Sequence, residues 1–459
     1  MDSAKSVLVV GLGLTGFSCV RFLNSKGIST VVLDTRQEPP LKKKLLDEFK
    51  DIPVITPDEL ESYQYSIERL IVSPGIDPQT PWLKSLEQNG LILESDIDLF
   101  CENNRKPIIA VTGTNGKSTV VSQIGHIFKT AGKKAIVIGN VGYPALDALM
   151  DGQVDNSDYV VLELSSFQLE ITSQLSAEVA CITNVTEDHL DRHGSLTVYK
   201  NAKHKIYNNA KNVVWNRDDP LTVPSKHKCQ SGCSVGVSIS EIGANAFIDF
   251  EDEKIKFADR QFINLANLPY KGHHHFLNAA MSAAVVKQLG YSISQIEMGL
   301  LTFKGLPHRC CKVDEVNSIN FVDDSKGTNI GATQAAIITL SSQGKPFTLL
   351  LGGVAKGQNF SLLDIDSYPL VKCIVVYGHD RSIILEKLSC RCPVLKADNL
   401  KGACEEAIKQ CLPGDTVLLS PACASFDEFT SFEHRGHVFA EIVAQYATKC
   451  VKTSDTVSG

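Results

Sequence analysis

Gly113, Thr114, Asn115, Gly116, Lys117, Ser118 and Thr119 stand in a row and carry the groups that a nucleotide phosphate needs. Glycines let backbone N–H groups converge on phosphate oxygens, and a following helix adds positive potential at its N-terminus. Lys117 would neutralise the outer phosphates, and Ser118 or Thr119 would offer a hydroxyl to Mg²⁺. Val111 stands where the common phosphate-loop pattern has the first of its two spaced glycines, so the loop is a shortened form that begins at Gly113. Glu163 closes the apolar run Tyr159–Leu164, and an acid at a strand end beside such a loop suits a metal ligand. Glu187, Asp188, His189 and Asp191 gather ionisable groups after another apolar run, which suits either a metal or a phosphate role for His189.

A second glycine turn lies at Gly11-Leu-Gly-Leu-Thr-Gly16, with Leu14 and Thr15 at the start of the following helix and Asp34, Thr35 and Arg36 after the next strand. By pattern this turn holds either a dinucleotide, with Asp34 on a ribose diol, or another nucleotide diphosphate in the same cleft. The pattern does not separate them, because both present a pyrophosphate to a helix N-terminus.

These groups need strands to carry them. Apolar runs at Ser6–Val10, Thr30–Leu33 and Arg69–Ser73 form a first block. Pro107–Thr112, Tyr159–Leu164, Val179–Val185 and Asn212–Trp215 form a second. Ile319–Val322, Phe347–Leu351, Cys373–Tyr377 and Thr416–Leu419 form a third, beyond a hinge at Gly305–Arg309. Helical periods alternate with these runs; Val120, Ile124, Ile127, Phe128 and Ala131, for example, share one helix face. The alternation predicts α/β folding with mostly parallel sheets. The stretch from Ser225 to Lys271 reads as short strands and loops, and the end of the chain after Ala447 as a polar, frayed tail.

Length and composition agree. The 459 residues allow about three domains. Hydrophobic residues make up 43% and charged residues 21%, an ordinary globular composition. A net charge of −7 argues against nucleic acid or membrane-surface partners. The basic run Lys42-Lys-Lys44 reads as a solvated helix face. The N-terminal segment Val7–Phe17 lacks the basic leader and cleavage site of a signal peptide, and no window approaches the ~20 apolar residues of a membrane span, so a cytoplasmic chain is expected. The 14 cysteines, including Cys229/Cys233, Cys310/Cys311 and Cys390/Cys392, form no paired C-x-x-C knuckles and read as thiols.

Taken together, these motifs resemble the Mur ligases of peptidoglycan synthesis, and within that family most closely the D-glutamate-adding branch. The resemblance runs from Val7 to Phe439. It rests on Gly11–Gly16 with Asp34-Thr-Arg36, Ser73-Pro-Gly75, Gly113–Thr119, Glu163–Glu170, Asn184–His189, Gly305–Arg309, Asp324-Ser-Lys326 and Ser420–Asp427. It implies three α/β domains: a Rossmann-like UDP-binding domain at 1–98, a central phosphate-loop ATPase domain at 99–305 and a Rossmann-like amino-acid domain at 306–447, with a tail at 448–459. The first glycine turn would then hold UDP and not NAD, through Leu14, Thr15, Asp34, Thr35, Arg36, Ser73 and Gly75, with Asn140 from the second domain.

The resemblance also implies a reaction. The carboxylate of UDP-MurNAc-L-alanine takes the γ-phosphoryl group of ATP, and the amine of D-glutamate attacks the acyl phosphate. Ser118, Thr119 and Glu163 match one magnesium site; His189 and Lys203 match a second, with Lys203 carbamylated. Asn278, Arg309 and Asp324 match positions around ATP, and Lys326 one near the reacting groups. Thr328, Lys356, Ser425, Phe426 and Phe432 match the D-glutamate pocket, in a monomeric enzyme of small-molecule substrates. Three positions depart from the family pattern: His275 and Asp323 each replace a usual asparagine, and Phe426 replaces a leucine. The Asp-Asn-Pro-Arg signature of the diaminopimelate or lysine adder is absent. Folate ligases lack the N-terminal UDP-type domain. A dehydrogenase built on the first turn would leave Gly113–Thr119 without a purpose.

Overall fold

The computed structural model describes residues 5–63, 66–225, 234–239, 245–269 and 272–457, with side chains to residue 450. Three sheets form in chain order. The first joins β1 (Ser6–Val10), β2 (Thr30–Leu33), β3 (Val54–Ile55), β4 (Ile67–Val72) and β5 (Leu93–Glu94) in the order β3-β2-β1-β4-β5. All its pairings are parallel. The chain leaves β1 for β2 on one side and returns to β4 on the other. The carboxyl ends of β1 and β4 therefore form the switch point at which open α/β sheets take their ligands.

The central sheet comprises β6 (Ile108–Thr112), β7 (Ala135–Gly139), β8 (Tyr159–Glu163), β9 (Val179–Ile182), β10 (Asn212–Asn216), β11 (Ser234–Ser238), β12 (Ala246–Asp249), β13 (Lys254–Phe257) and β14 (Phe262–Asn264). Its order is β14-β13-β12-β11-β10-β9-β6-β8-β7. The last three strands in the chain make its antiparallel edge, which answers to the short strands expected between Ser225 and Lys271. The third sheet runs β15 (Cys311–Val316), β16 (Ile319–Asp323), β20 (Thr416–Leu419), β17 (Phe347–Gly352), β18 (Val371–Tyr377) and β19 (Val394–Lys396) across its width. It is parallel except for the hairpin β15-β16.

Every strand read from an apolar run is present to within a few residues. The runs mark buried strands: β1, β6 and β17 are buried at every position. Those without an apolar run are edge or short strands. In β15 Cys311 and Val313 are half-buried and Val316 is buried, whereas Lys312, Asp314 and Glu315 are exposed, so its sequence needs no continuous apolar run.

Two compact units emerge. The first holds Met1–Val185, Ser195–Leu268 and Leu277–Phe303; the second holds Thr186–Gly194, Pro269–Phe276 and Lys304–Gly459. The first two sheets share a unit because one hydrophobic cluster serves both, from Phe17, Val20 and Leu23 through Ile97 and Phe100 to Leu146, Leu162 and Leu169. Polar bonds reinforce that seam: Ser18 Oγ donates to Asp147 at 2.9 Å, and Asp98 accepts the amides of Ser173 and Gln174 at 2.7 and 2.6 Å. A capping box of Ser95 with Asp98 starts the helix Asp96–Asn103, which carries the chain across the expected boundary at 98–99 without a linker. The chain crosses into the second unit at Lys304, next to the expected hinge.

One expectation is overturned. The final helix runs from Phe432 to Val457, past the point where a frayed tail was expected. Val438, Ile442, Tyr446 and Cys450 recur at helical spacing and pack on the cluster around Phe321 and Phe439, which keeps the helix growing. Among the described residues no disulfide forms, and no helix is long and apolar enough to cross a membrane. Cys229 and Cys233 lie outside the described residues.

Candidate active site

The first glycine turn closes β1 and opens the helix Leu14–Ser25 at Gly13, whose end has no side-chain cap. Gly16 is fixed by a close approach: a Cβ there would lie 1.8 Å from the Gly11 carbonyl oxygen. The matching turn after β4 joins it, because Ser73 Oγ donates to the Gly11 carbonyl at 3.0 Å. Asp34 sits at the end of β2 with both carboxylate oxygens engaged. Arg36 Nε and Nη2 donate at 2.9 and 2.8 Å, and the Leu12 amide at 2.7 Å. Burial opposes the charge on Asp34, but the bonds from Arg36 and the two amides outweigh it and hold the carboxyl below its usual range. The acid thus braces the turn and aims Arg36. Leu14, Thr15, Asp34, Thr35, Arg36, Ser73, Gly75 and Asn140 all line a single cleft of about 600 Å³.

That cleft contains two groups that were given no role from the sequence, Asp96 and Gln168. Gln168 closes the capping box of the helix Ser166–Ile171. Asp96 Oδ1 is buried without a hydrogen-bond partner among the described residues. Burial, opposed by its own amide and that of Ile97 and reinforced by the Asp98 charge, pushes its carboxyl up to about 7. An unfolded aspartate titrates near ~3.9, so the folded chain binds this proton more tightly than the unfolded chain does. Its contribution to stability is full below the unfolded value and is lost as the pH rises through about 7. Asp96→Asn removes the titration. Thermal melts of the variant and the wild type are expected to separate at about pH 8, with the variant higher, and to converge near pH 4. A constant difference across that range would refute the assignment.

The second loop closes β6. Gly116 caps the helix Lys117–Thr130 at a φ of 84°, and a Cβ there would lie 2.5 Å from Asn278 Oδ1, so the loop requires glycine at this point. Asn184 stitches the loop from the neighbouring strand end: its carbonyl accepts the Thr114 amide at 2.8 Å, and its side chain accepts the Asn115 amide at 2.9 Å. Thr183 Oγ1 donates to the Asn115 carbonyl at 2.6 Å. Lys117 Nζ donates to the carbonyls of Gly113 and Thr114, both at 2.9 Å, and so lies over the loop. Ser118 and Thr119 are buried behind it in the first turn of the helix. Thr183 and Tyr199, which supports Thr114 Oγ1 at 3.1 Å, carry no motif that would have marked them.

Glu163 pairs across the sheet with Val111 and so reaches the same edge as the loop. Asn140 Nδ2 donates to its Oε1 at 3.0 Å, while Oε2 is buried with no hydrogen-bond partner among the described residues. A carboxylate oxygen left unpartnered in that position fits a divalent cation, which would neutralise it. Asn140 therefore touches both the first cleft and this acid. Lys203 is 1% exposed; its Nζ donates to the Gly113 carbonyl at 2.7 Å and lies 4.4 Å from the centre of the Tyr199 ring. Asn278 lies against Gly116 on the helix His273–Lys287.

The remaining candidates belong to the second unit. His189 adopts a left-handed φ of 53° at the start of a short helix, with Nε2 3.6 Å from Asp188. Asp188 in turn meets Lys356 Nζ at 3.3 Å and Asn329 Nδ2 at 3.2 Å. Asp324 accepts from Ser420 Oγ at 2.6 Å. Burial pushes its carboxyl up to about 7 against the Ser420 bond and the Arg309 charge. Burial also lowers His275 to about 4, with Arg309 adding to the effect, so this departure from the family pattern presents a neutral imidazole. Asp323, the second of the three departures, takes His308 Nδ1 at 2.6 Å. Lys326 Nζ lies 3.8 Å from the centre of the Phe432 ring, and the Thr328 amide donates to the Lys326 carbonyl at 2.8 Å. Ser425 is buried, whereas Phe426 is 74% exposed.

Fold and site together define a nucleotide-dependent ligase built on three α/β sheets. The chain belongs to the Mur ligase family. The family model for the Mur ligase middle domain matches residues 111–286, and that for the MurD-like N-terminal domain matches residues 5–93. UDP-N-acetylmuramoylalanine–D-glutamate ligase of Legionella pneumophila (strain Lens) is 43% identical over 95% of this chain and 98% of its own length. The ligase of the same name from Pseudomonas fluorescens (strain Pf-5) is 38% identical over 96% of this chain and 98% of its own. Among solved structures, the UDP-N-acetylmuramate-alanine ligase MurC of Thermotoga maritima shares the fold, with a TM-score of 0.60 at 20% identity over 96% of this chain and 99% of that one.

Proposed function

We propose that this chain joins D-glutamate to UDP-N-acetylmuramoyl-L-alanine with conversion of ATP to ADP and phosphate, a step of peptidoglycan precursor synthesis and so of cell-wall biogenesis. The observation that carries this reading is similarity to named D-glutamate ligases along nearly the whole chain and not at one motif. Residues 1–98 hold the UDP end, residues 99–305 hold ATP, and residues 306–447 hold the amino acid. The enzyme acts as a cytoplasmic monomer on small molecules.

In this reading Arg36, Thr15 and the turn at Gly13 receive the diphosphate. Lys117 and the loop amides hold the triphosphate, with Asn278, Arg309 and Asp324 around the rest of ATP. Ser118, Thr119, Glu163, His189 and a carbamylated Lys203 would hold two Mg²⁺ ions, which when bound supply positive charge to the phosphate oxygens. The substrate carboxylate attacks the γ-phosphorus and ADP leaves. A carboxylate is a poor electrophile, and phosphorylation gives its carbonyl carbon a leaving group. Lys117 and Lys326 stabilise the charge that spreads over the transferring group. The D-glutamate amine then attacks that carbon, loses a proton, and phosphate departs. Lys356, Thr328 and Ser425 pair with the side-chain carboxylate, and Phe426 and Phe432 border it.

The test measures phosphate release from ATP and UDP-MurNAc-L-alanine with D-glutamate, L-glutamate, lysine or diaminopimelate as the amine. Release with D-glutamate and little with the other three is expected. Equal release with L-glutamate, or a preference for a diamine, would remove this reading.

A further inference from the structure

Arg435 is 0% exposed. It lies one turn into the final helix, and no motif marks it. Its guanidinium reaches three separate loops. Nε donates to Ser325 Oγ at 2.9 Å, Nη2 to the Ser325 carbonyl at 2.8 Å and to the Cys423 carbonyl at 3.1 Å, and Nη1 to the Gly352 carbonyl at 3.5 Å. Ser325 Oγ passes the link on to the Phe432 carbonyl at 2.8 Å. All four acceptors of the guanidinium are neutral. The nearby Glu428 accepts the Leu400 amide instead.

Each anchored residue stands beside an amino-acid pocket residue. Ser325 precedes Lys326, Gly352 opens the loop that carries Lys356, and Cys423 lies two residues before Ser425. The second and third loops are also bridged directly, by Val354 and Ala424 exchanging amide bonds at 2.9 and 3.0 Å. Only a planar fork of five N–H groups can serve acceptors on three loops at once; an ammonium on a flexible stem cannot hold the same geometry. Its acceptors carry no charge, and Glu428 is a carboxylate close enough to feel the guanidinium, whose field is poorly screened in this buried place. D-glutamate is the substrate whose carboxylate the residues on these loops are read to hold, so it is the one placed to gain from that charge.

We propose that Arg435 is the positioning residue of the amino-acid pocket: it sets the three loops that carry Lys326, Lys356 and Ser425, and biases the pocket toward an acidic amino acid. The inference rests on the D-glutamate reading of that pocket. Its test is steady-state kinetics of Arg435→Lys and Arg435→Met, with D-glutamate, ATP and UDP-MurNAc-L-alanine varied in turn. The KM for D-glutamate is expected to rise by about tenfold or more in the methionine variant and less in the lysine variant, while the other two KM values stay within about twofold. Ser325→Ala, which keeps the arginine but removes one acceptor and the link to Phe432, is expected to shift the same KM in the same direction. In Arg435→Ala, added guanidinium chloride is expected to lower the D-glutamate KM, and sodium chloride of equal ionic strength is not. A clamp that only stabilises the fold would lower the melting temperature and leave the three KM values in proportion, and that result overturns the proposal. So does a D-glutamate KM unchanged in Arg435→Lys and Ser325→Ala. A wild type indifferent to D-glutamate would instead remove the underlying reading of the pocket.

Discussion

Lys117→Ala is expected to lower phosphate release by roughly 10²–10³-fold or more, the cost of removing one preorganised positive group from a transferring phosphoryl. The loop offers amide hydrogens that stabilise charge in the ground and transition states alike. The ammonium is the part of the loop that carries a full charge. Lys117 Nζ already lies over the loop, held by the carbonyls of Gly113 and Thr114, so little reorganisation is needed to meet a phosphate. Arginine at this position keeps the charge but is too large for the same approach, and a loss of similar order is expected. The control is affinity for UDP-MurNAc-L-alanine, whose proposed cleft is built from other loops and is expected to stay intact. Turnover near that of the wild type in Lys117→Ala would remove the loop from the chemistry.

Lys203→Ala is expected to lose activity by about 10²-fold or more, and short carboxylates such as acetate or formate are expected to restore part of it. The side chain is 1% exposed, and its tip lies against the phosphate loop, at the Gly113 carbonyl and the Tyr199 ring. Its neutral amine can add carbon dioxide: an N–C bond forms, a proton goes to solvent, and the tip becomes an anion. A buried anion there is tolerable only with a cation to neutralise it, and a divalent cation would serve. A small carboxylate diffusing into the alanine variant would supply the missing charge without the covalent bond. Full activity of Lys203→Ala without any additive would exclude the carbamate, and no rescue at any carboxylate concentration would count against it.

Much of the scaffold was legible in the chain. Val7-Leu-Val-Val10, Ile108-Ile-Ala-Val111 and Phe347-Thr-Leu-Leu-Leu351 announce strands because parallel strands buried on both faces must be apolar at nearly every position. The phosphate loop was legible because its chemistry is local: the glycines, Lys117 and the hydroxyls all lie within one turn of chain. Edge strands were not, since β15 and β19 need bury little. Nor was the length of the last helix, which sets Phe439 and Tyr446 against Phe321 and grows on that packing and not on its own propensity.

Sequence by itself determined the buried strands, the two glycine turns and the residue types poised at their ends, because each depends on neighbours a few positions away. Tertiary structure alone decided that Asp34 serves Arg36 and the turn, that Asn140 joins the first cleft to Glu163, that Asp96 and Gln168 line that cleft, and that Arg435 gathers three loops. Those contacts link residues tens to over a hundred positions apart, or depend on which way a turn faces. Strand order fixes them, and strand order is set by how whole sheets bury their faces, a property no short window of sequence contains.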